Sequence, residues 1–141
     1  MNCGTMTEPR VECTEDAFLG GRLRLRQLKA GHRAGHDAVL LAAATSARAG
    51  HRVVDFGAGV GAAGLALAHR VASVDIVLVE IDPTLAALAQ GNAAANAIAA
   101  DVIVLDVESG AESFAAAGLP PDSVDVVLMN PANLCRRWGS D

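Results

Sequence analysis

Apolar and polar positions change period along this chain, and the changes divide it into elements. From Gly21 to Arg26 they alternate strictly as Gly-Arg-Leu-Arg-Leu-Arg, which is a half-buried strand with its arginines on one side. Residues 38–47 then read as a helix, apolar at Val39, Leu40 and Leu41, with Asp37 placed to cap it and Gly50 to end it. Beyond that point short apolar runs alternate with alanine-rich helical ones. Strands are expected over 52–56, 75–81, 101–105 and 123–129. Helices are expected over 62–70, from Asp82-Pro83 to Ala95, and over 111–117, the last stopped by Gly118-Leu119-Pro120-Pro121. Strands joined by helices form a parallel sheet with right-handed crossovers. The predicted fold is therefore α/β and Rossmann-like: a doubly wound, mostly parallel sheet in the order 3-2-1-4. Its ligand belongs at the carboxyl ends of the strands, where that order reverses.

The sharpest local feature joins the first core strand to its helix. Val53-Val54-Asp55-Phe56 runs into Gly57-Ala58-Gly59-Val60-Gly61, and the helical run starts directly after. Glycines there let the backbone take positive φ and let a ligand approach the main chain closely. The helix behind them offers unpaired N–H groups. Gly57, Gly59 and Ala62 also fit a dinucleotide-binding pattern, but Asp55 separates the readings. A carboxylate two residues before the first glycine would repel a pyrophosphate. It favours S-adenosylmethionine, which carries a sulfonium and an α-ammonium. Two more acids close two more strands at the same sheet edge: Glu80, placed for ribose hydroxyls, and Asp106, placed for an adenine amino group. Asp55 is expected beside the amino-acid part of the cofactor.

Composition narrows the picture. The 141 residues fit a single domain, read as a loose polar tail over 1–16 and a cofactor-binding domain over 17–141. With 52% hydrophobic residues the chain has the means to bury a core. It has no apolar run of membrane-spanning length and no signal-peptide core in its first sixteen residues, so no membrane partner is expected. Cys3, Cys13 and Cys135 show no ligand spacing, which points to a reducing cytoplasm. His32 and His36 sit four apart without a third ligand, and no metal is expected. The net charge of −5 is unevenly spread. Arg22, Arg24, Arg26, Lys29 and Arg33 form a basic stretch without an acid, suited either to phosphate contact or to a solvated strand face.

The fourth strand ends Val127-Leu128-Met129-Asn130-Pro131. With Gly31-His32-Arg33-Ala34-Gly35-His36-Asp37-Ala38-Val39-Leu40-Leu41, the glycine loop and Val79-Glu80-Ile81-Asp82-Pro83, the chain resembles the class I N6-adenine methyltransferases. Within them it resembles in particular the bacterial group acting on valine tRNA. That resemblance implies S-adenosylmethionine as cofactor, Asn130 and Pro131 as catalytic residues, and tRNA as substrate. It adds Asp37, near the cofactor's ammonium, to Asp55, Gly57, Gly59, Gly61, Glu80 and Asp106 as binding residues. In such enzymes the Asn side-chain oxygen and the Pro carbonyl accept the two hydrogens of adenine N6, which frees its lone pair for in-line transfer. The family continues Asn-Pro-Pro-Phe/Tyr where this chain has Asn130-Pro131-Ala132-Asn133. Loss of the stacking aromatic costs roughly 1–3 kcal/mol per base. The family also runs on through further strands, so the catalytic half is expected to be missing after the Asn-Pro pair, by frameshift, premature stop or compact design. A fourth strand left at the sheet edge is expected to pair into a homodimer or to aggregate. The same Asn-Pro pair also serves glutamine amides, which leaves a protein or small-molecule acceptor, or a non-catalytic cofactor-binding remnant, as the other readings.

Overall fold

A computed structural model describes residues 10–131. The Ala132–Asn133 departure, Trp138 and the remainder of both termini lie outside the described residues. Six strands and four helices follow in the order β1 (Cys13–Phe18), β2 (Leu23–Leu28), α1 (His36–Ala44), β3 (Arg52–Phe56), α2 (Ala62–Arg70), β4 (Asp75–Glu80), α3 (Pro83–Ala95), β5 (Ala100–Val104), α4 (Ala111–Ala116) and β6 (Val126–Met129). The last four strands form one parallel sheet in the order β5-β4-β3-β6, the expected 3-2-1-4. The first two form a separate antiparallel hairpin.

Side-chain alternation assigns the two faces of the sheet. Val53, Ile76, Leu78 and Leu128 point to one side, where α1, α2 and α3 cover them together with Leu23 and Leu25 of the hairpin. Val54, Val77 and Val79 point to the other, under Leu119 and the half-buried Phe114 of the α4 region. Phe56 meets Phe114 edge to face, with ring centroids 5.7 Å apart. Strands buried on both faces read as continuous apolar runs, which is why β3 and β4 are plain in the sequence.

Three expectations need correction. Residues 13–16 belong to β1 rather than to a loose tail, because β2 offers them a paired partner from Cys13–Leu28 to Phe18–Leu23. Helix α1 begins at His36 with Gly35 as its cap residue, so Asp37 lies inside the first turn and does not cap it. Finally, β5 ends at Val104, which leaves Asp106 exposed in the loop beyond the strand. The basic stretch is largely neutralised within the hairpin and the loop after it: Arg24 pairs with Glu15, Lys29 with Glu12 and Arg33 with Asp16. Exposed pairs of this kind stabilise little, but they offset three of the five positive charges that could face a phosphate backbone.

Candidate active site

The glycine loop leaves β3 at the carboxyl edge of the sheet, and its backbone is possible only because of its composition. Gly57, Gly59 and Gly61 have φ of 69°, 58° and 91°, all in the left-handed region. A Cβ built on Gly57 or Gly59 would meet nothing within 4 Å, so both present open main chain. Gly61 differs: a Cβ there would meet Leu78 and Leu65 at 3.1 and 3.2 Å, and its role is close packing. It is also the left-handed cap residue of α2, which no side chain caps. Gly57 and Ala58 both donate to the Val79 carbonyl, at 2.9 and 3.0 Å, tying the loop to β4.

Glu80 organises the loop from the next strand. It is buried, and one carboxylate oxygen accepts from the Gly59 N–H at 2.7 Å while the other accepts from the Asp82 N–H at 3.0 Å. Each carboxylate oxygen has two acceptor positions, so both retain capacity for a ligand hydroxyl. Asp82 itself caps α3, its side chain accepting from Thr84 and Leu85.

Asp55 sits differently from its expected place beside an amino-acid group. It shares the alternation of Val53, so its side chain falls on the face covered by α2, only 2% exposed. One carboxylate oxygen accepts from the Gly64 N–H at 3.0 Å. Burial, and secondarily the charge of Glu80, raise its pKa from 3.8 to about 7 against the opposing Gly64 hydrogen bond. Asp55 therefore anchors the helix start behind the loop. Asp106, at the β5 end of the same edge, turns one oxygen to the Glu108 N–H at 2.9 Å.

The structure brings together two residues 93 apart in sequence: the Asn130 Nδ2 group donates to Asp37 Oδ2 at 3.0 Å. That bond is the main reason the Asp37 carboxyl is held below its usual range. With one Nδ2 hydrogen given to Asp37, Asn130 has its Oδ1 without a partner among the described residues, next in sequence to Pro131. His32 and His36 are exposed, and among the described residues no group of three His, Cys, Asp or Glu side chains could hold a metal.

Sequence reasoning passed over several residues here. Ile81 and Val107 follow Glu80 and Asp106 and are 59% and 41% exposed, bare apolar surface beside two carboxylates. Such a combination suits a flat heteroaromatic ring with polar edges. Asn92 is 1% exposed and donates to the Val60 carbonyl of the glycine loop at 2.9 Å. Its signal was present: Asn92 is a weak helix former inside an alanine-rich helix, and Asn96 is the cap residue that follows it.

A parallel sheet with a Gly-x-Gly-x-Gly loop, an acid at the end of the neighbouring strand and Asn-Pro after the fourth defines a class I methyltransferase domain. Residues 33–132 match the family model described as the methyltransferase small domain. The chain belongs to that family of S-adenosylmethionine-dependent methyltransferases. Similar solved structures include a predicted O-methyltransferase, protein Atu636 of Agrobacterium tumefaciens, at 36% identity and TM-score 0.59, covering 69% of this chain and 50% of that one. The T. thermophilus 16S rRNA N2 G1207 methyltransferase, in complex with AdoMet and guanosine, is 25% identical with TM-score 0.65, covering 87% and 33%. TYW2 of P. horikoshii, in complex with MeSAdo, shares the fold at 19% identity and TM-score 0.58, covering 70% and 38%. The chain thus spans half or less of the length of these structures. No curated protein matches it.

Proposed function

We propose that this domain binds S-adenosylmethionine along the glycine loop and directs its methyl group to an exocyclic amino group of a nucleic-acid base. The observation that carries the reading is the Asn130–Asp37 bond, which commits the amide N–H and leaves Oδ1 as acceptor at the carboxyl edge. The chain's residues fit the cofactor: open glycines 57 and 59 form a cradle, and Glu80 has free acceptor positions for ribose hydroxyls. Ile81 and Val107 would flank the adenine ring, and Asp106 would accept from its amino group. Asp37 would draw the ammonium by charge. When bound, the cofactor supplies a sulfonium-activated methyl group.

The acceptor nitrogen is the harder half, because its lone pair is delocalised into the ring. Asn130 Oδ1 and the Pro131 carbonyl would each accept one of its hydrogens, favouring a pyramidal nitrogen. This is positioning and electrostatics, with no covalent enzyme intermediate. Adenine N6 in tRNA is the acceptor that the Asn130-Pro131 resemblance favours. The rRNA N2-guanine activity of the T. thermophilus neighbour is the same chemistry on another exocyclic amine. The cysteine pattern favours a reducing compartment such as the cytoplasm. No helix among the described residues is long and apolar enough to cross a membrane.

The test is methyl transfer from labelled S-adenosylmethionine to unmodified tRNA, rRNA and a glutamine-bearing protein acceptor, followed by nucleoside analysis. N6-methyladenosine from tRNA is the expected product. Because Asn133 offers no stacking ring, turnover should fall about ten- to a hundredfold below an ordinary ~1–10 per second. Label confined to N2-guanine or to protein would move the acceptor, and cofactor binding without transfer to any acceptor would make the domain a non-catalytic binder.

A further inference from the structure

The hairpin of β1 and β2 is not sheet-paired to the main domain, yet it is fastened to it by side chains that imitate a strand. Asn92 Oδ1 accepts from the Arg26 N–H at 2.8 Å, and its Nδ2 donates to the Arg26 carbonyl at 3.1 Å. One helical turn on, Asn96 repeats the pattern on Arg24, accepting at 2.9 Å and donating at 2.8 Å. Four residues of helix advance about 6 Å, against about 6.8 Å for two residues of an antiparallel strand, so two carboxamides on one helix face match alternate residues of β2. The outward edge of β2 is thereby satisfied without a neighbouring strand.

This ladder continues into the cofactor cradle. The second hydrogen of Asn92 Nδ2 goes to the Val60 carbonyl, between the two glycines whose backbone is left-handed. Asn92 thus spends all three of its used hydrogen-bonding positions on other segments, two on the hairpin and one on the loop. A second buried carboxamide, Gln27 of β2, reaches the other side of the site. It is 3% exposed and accepts from the Ala34 N–H at 2.8 Å, just ahead of the helix that carries Asp37. The hairpin is therefore linked to the glycine loop through Asn92 and to the approach to Asp37 through Gln27.

We infer that Asn92 is a positioning residue for the glycine loop, and that the Asn92–Asn96 ladder couples the order of the hairpin to cofactor binding. The inference rests on the cofactor reading above. Coupling of this kind is reciprocal: what steadies the loop steadies β2, and what frees β2 loosens the loop.

The ladder can be cut far from the loop. Asn96→Ala removes the Arg24 contacts and leaves the Val60 bond in place. Calorimetry with S-adenosylmethionine on the wild-type chain and this variant, with amide exchange of β2 in both, tests the coupling. Saturating cofactor is expected to slow exchange at the Arg24 and Arg26 amides of the wild type. Asn96→Ala should weaken affinity about fivefold or more and abolish that slowing at Arg24, while Arg26, still held by Asn92, keeps it. Unchanged affinity in a folded Asn96→Ala chain would overturn the proposal, and so would β2 exchange that ignores the cofactor in the wild type. The wild-type exchange measurement stands even where a variant fails to fold. Absence of any cofactor binding by a folded wild-type chain would remove the cofactor reading and the coupling together, whereas binding with an unresponsive hairpin removes the coupling alone.

Discussion

Asp55 places a carboxyl where charge is expensive, and the consequence is measurable. Its folded pKa of about 7 lies above the ordinary 3.8, so the folded chain holds a proton that the unfolded chain has released across that interval. The raised value means that its favourable contribution is fully present below about pH 4 and is lost as pH rises to about 7. This one group should lower stability by on the order of 1 kcal/mol per pH unit over that window and have little further effect above it. Asp55→Asn keeps an acceptor for the Gly64 N–H while removing the titration. Urea unfolding of the cofactor-free chain from pH 4 to 8 should show the decline in the wild type and a flatter profile in the variant. The same residue shows what a sequence conveys at this scale. An acid before a glycine loop announces a charged environment, but only the parity of β3 decides that the carboxylate faces α2. Glu80 lies on the same face as Ile76 and Leu78 but is the last residue of β4, which puts it at the edge, and its bond to Gly59 could not be read from spacing alone.

Elements stand or fall on small clearances, and α2 against β4 is the tightest of them here. Gly64 lies inside a helix, where alanine would normally be preferred by roughly 0.5–1 kcal/mol. A Cβ at this position would meet Leu78 Cδ2 at 2.5 Å and Asp55 Oδ2 at 3.2 Å. Leu78 is fully buried and already lies against Gly61, so it has nowhere to go, and Asp55 would be pushed off the Gly64 N–H. The clash decides the sign. Gly64→Ala should destabilise by about 1–3 kcal/mol, the range for overpacking a filled core, and thermal melts would check it. Unchanged or raised stability would show that the helix can slide on the sheet. At this scale the core is readily legible, because β3, β4 and their helices follow one period each and are buried on both faces. The hairpin is legible only by half. Leu23-Arg24-Leu25-Arg26 alternates cleanly, whereas Cys13–Phe18 is polar and becomes a strand through its partner. Nor could the docking of that hairpin be foreseen, since it depends on Asn92 and Asn96 meeting backbone groups some seventy residues away.

At the scale of the whole molecule, the feature that matters is where the sheet ends among the described residues. Strand β6 is at the edge of the order β5-β4-β3-β6, paired through Val126–Met129 to β3 on one side only among the described residues. Its alternation puts Leu128 into the core and Val127 and Met129 on the face of Val54 and Phe56, where they remain 54% and 48% exposed. Natural edge strands are usually blunted by lysine, proline or a bulge, and Val126-Val127-Leu128-Met129 has none of these. The one nearby charge is spent elsewhere, because Asp125 accepts from the Arg52 N–H at 2.8 Å and so pins the entry to the strand. Backbone groups without a strand partner among the described residues, next to an apolar stripe, form a template for another strand. The expected outcome is that this chain self-associates through β6 at micromolar concentration, as a dimer or as larger aggregates. Light scattering over a dilution series would show it, and Val127→Lys, which adds a charge at the exposed position while leaving Leu128 in the core, should return the chain to a monomer. A wild-type monomer at every concentration, or association indifferent to Val127→Lys, would rule out β6 as the contact.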